Sequence, residues 1–212
     1  MSKVQNPFFG HMSGSMAKIA TYKFHGQDII RSKAFEPKDA NTVSQQAQRA
    51  SFKLIAKAYQ SFGGITDESF TDRRETESAY NAFMAANLPF AIDKSGGIPV
   101  IDYSKLIVSK GTLTDVVVTG GSAGATGISV GYKTFSHIPK VSASDQVVAF
   151  ARMKTGELVV ARQVRGSEQL ATILISYPGV VASDVVCCYL FVLNADGNNA
   201  SLSSYEIGRA HV

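Results

Sequence analysis

The chain has 212 residues, 45% apolar and 18% charged, with a formal net charge of +4. This is globular composition with enough apolar content for a sizeable core, and it excludes a disordered or collagen-like chain. No apolar run is long enough to span a membrane, and the opening MSKVQNPFFG has no apolar core of a secretory signal.

The charge is uneven. Residues 1–63 hold nine Lys/Arg against three acids, a net +6, and the remainder holds twelve against fourteen, a net −2. The N-terminal part is therefore expected to face something acidic, either nucleic acid or the C-terminal part of a neighbouring copy.

In chain order, residues 1–15 are rich in Gly, Ser and Asn and read as a flexible arm with Phe8 and Phe9 as an aromatic anchor. Residues 19–24 alternate, with Ala20, Tyr22 and Phe24 on one face. His25 and Gly26 mark a turn, and residues 28–33 return with Ile29 and Ile30, which predicts a β-hairpin. The exposed edge of 28–33 is expected to be open for strand addition to another sheet.

Residues 41–62 carry the clearest helical signal. Thr42 and Gln45 read as a capping box, and Ala47, Ala50, Leu54, Ile55, Ala58 and Phe62 form an apolar stripe into which Ser51 is small enough to fit. The opposite face carries Arg49, Lys53 and Lys57 four apart, a ridge of like charges that mildly disfavours an isolated helix. Such a ridge is either a solvated face or a contact with an acidic partner. Gly63 and Gly64 end the helix. A second helix is expected over 69–87, capped by Thr71 or Asp72 and closed by Pro89.

After the break at 94–99 the periodicity changes to strands, expected at 106–109, 115–119, 126–134, 146–153, 158–164, 169–177, 184–194 and 200–207. The Gly-rich run 120–127 lacks the ending of a phosphate-binding loop and reads as a flexible connection between strands. The expected fold is α+β: a hairpin and two helices, then an antiparallel sandwich of the immunoglobulin or fibronectin type III kind. The divisions are 1–15 arm, 16–96 hairpin plus helices, and 97–212 sandwich.

Chemistry-bearing patterns are sparse. His11, His25, His137 and His211 are scattered without partners at metal-ligand spacing. No nucleophilic serine motif is present. Cys187 and Cys188 are adjacent in an apolar run, so they point to opposite faces, cannot bond each other and read as core thiols. A reducing site of synthesis fits them. No catalytic residue, metal or cofactor is expected.

The N-terminal third contains Gly10–Ser15 (GHMSGS), Tyr22, Gly26–Lys33 (GQDIIRSK), Asn41-Thr42, Gln45–Arg49 (QQAQR) and Phe52. With Ile101–Leu106 (IDYSKL), Ser109-Lys110-Gly111 and the closing Ser201–Gly208, this pattern resembles domain of unknown function 6266 of Bacteroidetes and their phages. Where members of that family often have Asn-Pro before the helix, this chain has Ala40-Asn41. The resemblance carries no activity. By association it implies a virion protein, made in the bacterial cytoplasm and assembling with other copies and other virion proteins. The expected role is a non-enzymatic structural component of a tailed phage, whether capsid, head–tail or tail. Phe8, Phe9, Arg31, Lys33, Arg49, Lys53 and Lys57 are the expected contacts with partners. The alternatives are a basic nucleic-acid-binding protein, and an adhesin or glycan-binding module.

Overall fold

The structure is a computed structural model that describes residues 2–3, 14–16, 18–33, 39–135, 139–167 and 169–206. It divides into two compact units, Met1–Thr42 and Val43–Val212. This division falls just before the long helix, and residues on both sides of the exposed stretch 94–98, such as Ala91 and Leu106, share one core.

The first unit is a four-stranded antiparallel sheet. Its strands are β1 (Ser2–Lys3), β2 (Gly14–Met16), β3 (Ile19–Phe24) and β4 (Gln27–Ser32), in the order β1-β4-β3-β2. The predicted hairpin is present, and its turn explains His25-Gly26. Both residues have positive φ, 46° and 79°. Two such residues make the turn whose twist matches the flanking strands. Residues 1–15 are not wholly a flexible arm, since Ser2–Lys3 pairs with Ile29 and Ile30 and Gly14–Met16 pairs with Ile19–Thr21. The edge of β4 is accordingly occupied in part.

The second unit has three layers. Its helices are α1 (Val43–Phe62), α2 (Ile65–Ser69) and α3 (Ala79–Asn87). Gly63, with φ of 56°, ends α1 in the left-handed conformation. Two sheets follow. One contains β9 (Gln146–Met153), β10 (Leu158–Val164), β12 (Val185–Leu193) and β13 (Ser204–Glu206) in the order β10-β9-β12-β13. The other contains β7 (Val117–Gly124), β8 (Gly127–Lys133) and β11 (Leu170–Ser176) in the order β11-β8-β7. The short strands β5 (Ile92–Asp93) and β6 (Val100–Ile101) pair beside the helices. Three strands facing four, all antiparallel, with β10 to β11 crossing between sheets, make the expected α+β sandwich.

The two central strands of the four-stranded sheet, β9 and β12, are buried on both faces. Val148, Phe150, Cys187, Tyr189, Phe191 and Leu193 pack on Ile55, Ala58 and Phe62 of α1 and on Phe83 of α3. Val147, Ala149, Ala151, Cys188, Leu190 and Val192 pack on Ile128, Val130, Tyr132, Ile173 and Ile175 of the other sheet. Alternation along β9 and β12 sends successive side chains to the two cores. Phe62 is central to the helical layer, with its ring 5.8 Å from Phe150, 6.2 Å from Tyr189 and 6.3 Å from Phe83. Ser51 is buried as expected, and its hydroxyl donates to the Ala47 carbonyl at 2.8 Å.

Several expected elements differ. The helix expected over 69–87 is present only as α3, since α2 ends at Ser69 and residues 70–78 are not helical; Ser78 rather than Thr71 or Asp72 is its cap, accepting from the Asn81 amide at 3.2 Å. Residues 70–72 are drawn out of helical geometry by tertiary bonds. The amides of Thr71 and Asp72 both donate to the Lys110 carbonyl, at 3.0 and 3.1 Å. Residues 106–109 are extended without joining a sheet. Side chains hold them instead, Asn87 bonding both backbone groups of Ile107 and Ser69 donating to the Val108 carbonyl. Run 120–124 is strand β7, not a loop, and the turn is confined to Ala125 and Thr126. The last strand is only Ser204–Glu206. Ala200 and Ser201 make single bridges, the Ala200 carbonyl accepting from the Leu113 amide at 2.9 Å and the Ser201 amide donating to the Val192 carbonyl at 2.8 Å.

Arg165 ties the sandwich together at one end. It is 2% exposed, its guanidinium donates to the carbonyls of Thr114 at 3.1 Å and Asp115 at 3.4 Å, and its amide donates to the Asp145 carbonyl at 2.7 Å. Burial pulls its pKa below the usual arginine range, opposed by the nearby Asp145 and Asp115 carboxylates. Arg165→Ala leaves a cavity and two unpaired carbonyls, so it should lower the unfolding free energy by about 2–4 kcal/mol in urea titration. An unchanged midpoint would remove Arg165 from this role.

The two thiols also follow from the fold. Cys187 faces the helical core and Cys188 the sandwich core, both at most 2% exposed. Desolvation pushes the Cys187 thiol up to about 12, with Arg152 pulling weakly the other way. At pH 8 its thiolate fraction is then on the order of 1 in 10,000. Neither thiol should be alkylated by iodoacetamide in the native protein, and both should label once urea unfolds it. Labelling of native protein faster than global unfolding would contradict this.

Candidate functional site

Pairing fixes which side chains share a face of the N-terminal sheet. Ala20 lies opposite Arg31, Tyr22 opposite Ile29 and Phe24 opposite Gln27. Residues directly opposite project to the same side, so one face collects Ala20, Tyr22, Phe24 and Ile29 with Arg31. The Arg31 guanidinium lies over the Tyr22 ring, 5.7 Å from its centre. The other face carries Thr21, Lys23, Asp28, Ile19 and Ile30.

Little of this apolar material is covered. Among the described residues of Met1–Thr42 only Ile29 is a buried apolar residue, at 7% exposure, whereas Phe24 is 56% and Ile19 50% exposed. Phe24 stacks edge-on with His25 at 4.3 Å, so the hairpin ends in an exposed aromatic pair. A unit of this size is near the lower limit for folding alone without a disulfide, a metal or a partner. Both cysteines lie in the other unit. Among the described residues no group of three His, Cys, Asp or Glu is placed to hold a metal.

The sequence-predicted contact residues fall as follows. Phe8 and Phe9 lie outside the described residues. Arg31 and Lys33 are exposed at the end of β4, and the Lys33 amide donates to the Lys18 carbonyl at 2.7 Å. Arg49, Lys53 and Lys57 are all exposed on α1, opposite the buried Ser51, Ile55, Ala58 and Phe62. Since α1 has no acidic residue, this face is uniformly cationic. The first eight residues of α1 are exposed or only partly covered, and its buried side begins at Ser51. The structure therefore brings Arg49, Lys53 and Lys57 together on one ridge, and places Arg31 and Lys33 on a separate unit.

A second exposed face was not legible from the sequence. The outward side of the three-stranded sheet carries Val117, Gly120, Ser122 and Gly124 on β7. It continues with Gly127, Ser129, Gly131 and Lys133 on β8, and Leu170, Thr172, Leu174 and Ser176 on β11. Lys133 is its sole charge, and its ammonium lies 5.5 Å from the centre of the Phe135 ring. Leu170 and Leu174 are 65% and 47% exposed. The available signal was the alternation of Ile173 and Ile175 with exposed leucines. The glycines of 120–127 obscured the neighbouring strand.

The densest polar cluster lies at the helical side of β9 and β12. Arg152 donates to the Tyr103 hydroxyl at 2.9 Å, and the Tyr189 hydroxyl donates to the Tyr103 carbonyl at 2.7 Å. Burial raises the Tyr189 and Cys187 pKa values, so neither is ionised near neutrality. The arrangement fixes the 3-10 turn Tyr103–Lys105 against the sheet. Among the described residues no helix is long and apolar enough to cross a membrane.

No curated protein and no solved structure matches this chain. The family model described as "Family of unknown function (DUF6266)" matches residues 11–208. The match includes the hairpin, all three helices and both large sheets, and the chain belongs to the DUF6266 family.

Proposed function

We propose that this protein is a non-enzymatic structural component that assembles in multiple copies through its N-terminal unit. We further propose that the assembly is the virion of a tailed bacteriophage. The observation that carries the first part is the uncovered sheet of Met1–Thr42. Among the described residues of these four strands one apolar side chain, Ile29, is buried, which is little area against the entropy of ordering them. A second copy supplies the missing surface. Oligomerisation is the remaining stabiliser for a unit with neither disulfide nor metal among its described residues. The virion part rests on the likeness of the sequence to family members associated with phages, and on the lack of recognisable catalytic patterns in the sequence. Whether the place is capsid, head–tail or tail is left to the assembly's symmetry.

A second reading, binding to nucleic acid, is favoured by the cationic face of Arg49, Lys53 and Lys57 on a helix without acids. Three phosphate contacts give a modest, salt-sensitive affinity.

The two readings separate in one experiment. The intact chain and a 43–212 chain are compared by light scattering at low and high salt, alongside Lys53→Glu combined with Lys57→Glu in DNA retardation. The proposal expects the intact chain to form defined oligomers and the 43–212 chain to be a folded monomer. An intact chain that stays monomeric at all concentrations would sink it. If DNA is retarded by that monomer and released by the double substitution, nucleic-acid binding replaces it.

A further inference from the structure

We draw no further inference here: the strongest candidate, the side-chain cluster at one end of the sandwich where the Tyr132 hydroxyl and the Arg165 Nε are both buried without a hydrogen-bond partner, belongs to the tie already described for Arg165, whose charge the nearby Asp145 and Asp115 carboxylates oppose, and nothing in the structure shows what it would hold.

Discussion

The second unit depends on one sheet being dry on both sides. In β12, VVCCYLFVL, every residue from Cys187 to Leu193 is buried, and β9 is nearly as covered. From Cys187 onward, odd positions of β12 meet the helices and even positions meet the other sheet. Neither outer layer is therefore an accessory. Removing the helices would expose Phe150, Tyr189 and Phe191, three large aromatic faces that stack on one another and on Phe62. Removing the three-stranded sheet would expose the opposite side of the same strands. A central layer with two covers melts as one body, which is why the divide between helical and strand periodicity in the sequence is not a divide in the fold.

Buried polar side chains fix how the helical layer sits on that sheet. Ser109 donates to the carbonyl of Ser201 at 2.6 Å and also lies 3.2 Å from that of Ser69, joining three distant segments. The Ser201 hydroxyl accepts from the Val192 amide at 2.9 Å, and Thr71 accepts from the Ala200 amide at 3.0 Å. Apolar packing alone tolerates sliding between layers. Buried hydroxyls do not, since an unmade bond to a buried carbonyl or amide costs about 1–3 kcal/mol. Gly111 adds a steric condition. A Cβ there would lie 2.1 Å from the Ala200 carbonyl oxygen, so only glycine permits this closeness. Ser109, Lys110 and Gly111, part of the pattern that resembles the family, thus lie in the seam between layers.

Much of this was legible locally and little of it globally. The hairpin turn, the helix from 43 to 62 and the strands from Gly127 onward follow from periodicity and turn residues, because each is set by neighbours in sequence. The helix over 69–87 failed because the Lys110 carbonyl, nearly forty residues away, captures the amides of Thr71 and Asp72. The strand expected over 115–119 is the first part of β7; its glycine-rich continuation, 120–124, was missed because glycine lowers intrinsic strand preference, while its pairing with β8 comes from the register set by Ile128 and Val130. The double burial of β12 was visible as an unbroken apolar run, yet such a run does not say what lies on either side. Of the candidate contact residues, the ridge of Arg49, Lys53 and Lys57 was readable from spacing. The outward face of the three-stranded sheet was not, since one of its strands was hidden by those glycines.

The contrast between the two units bears on how such a protein could work. The second unit has two cores, an interlocked polar seam and two central strands, β9 and β12, covered on both sides. The first has a well-specified hairpin and, among its described residues, one buried apolar side chain, Ile29. In the assembly proposed above, a hairpin completed by a neighbour couples its own ordering to assembly, so that subunits at low concentration do not commit to contacts. The basic excess of residues 1–63 does not sort the two units by sign, because Arg49, Lys53 and Lys57 belong to the second: Met1–Thr42 holds six Lys/Arg and three acids, a net +3, and Val43–Val212 holds fifteen and fourteen, a net +1. In the proposed assembly it is therefore apolar contact, not long-range charge, that would hold copies together.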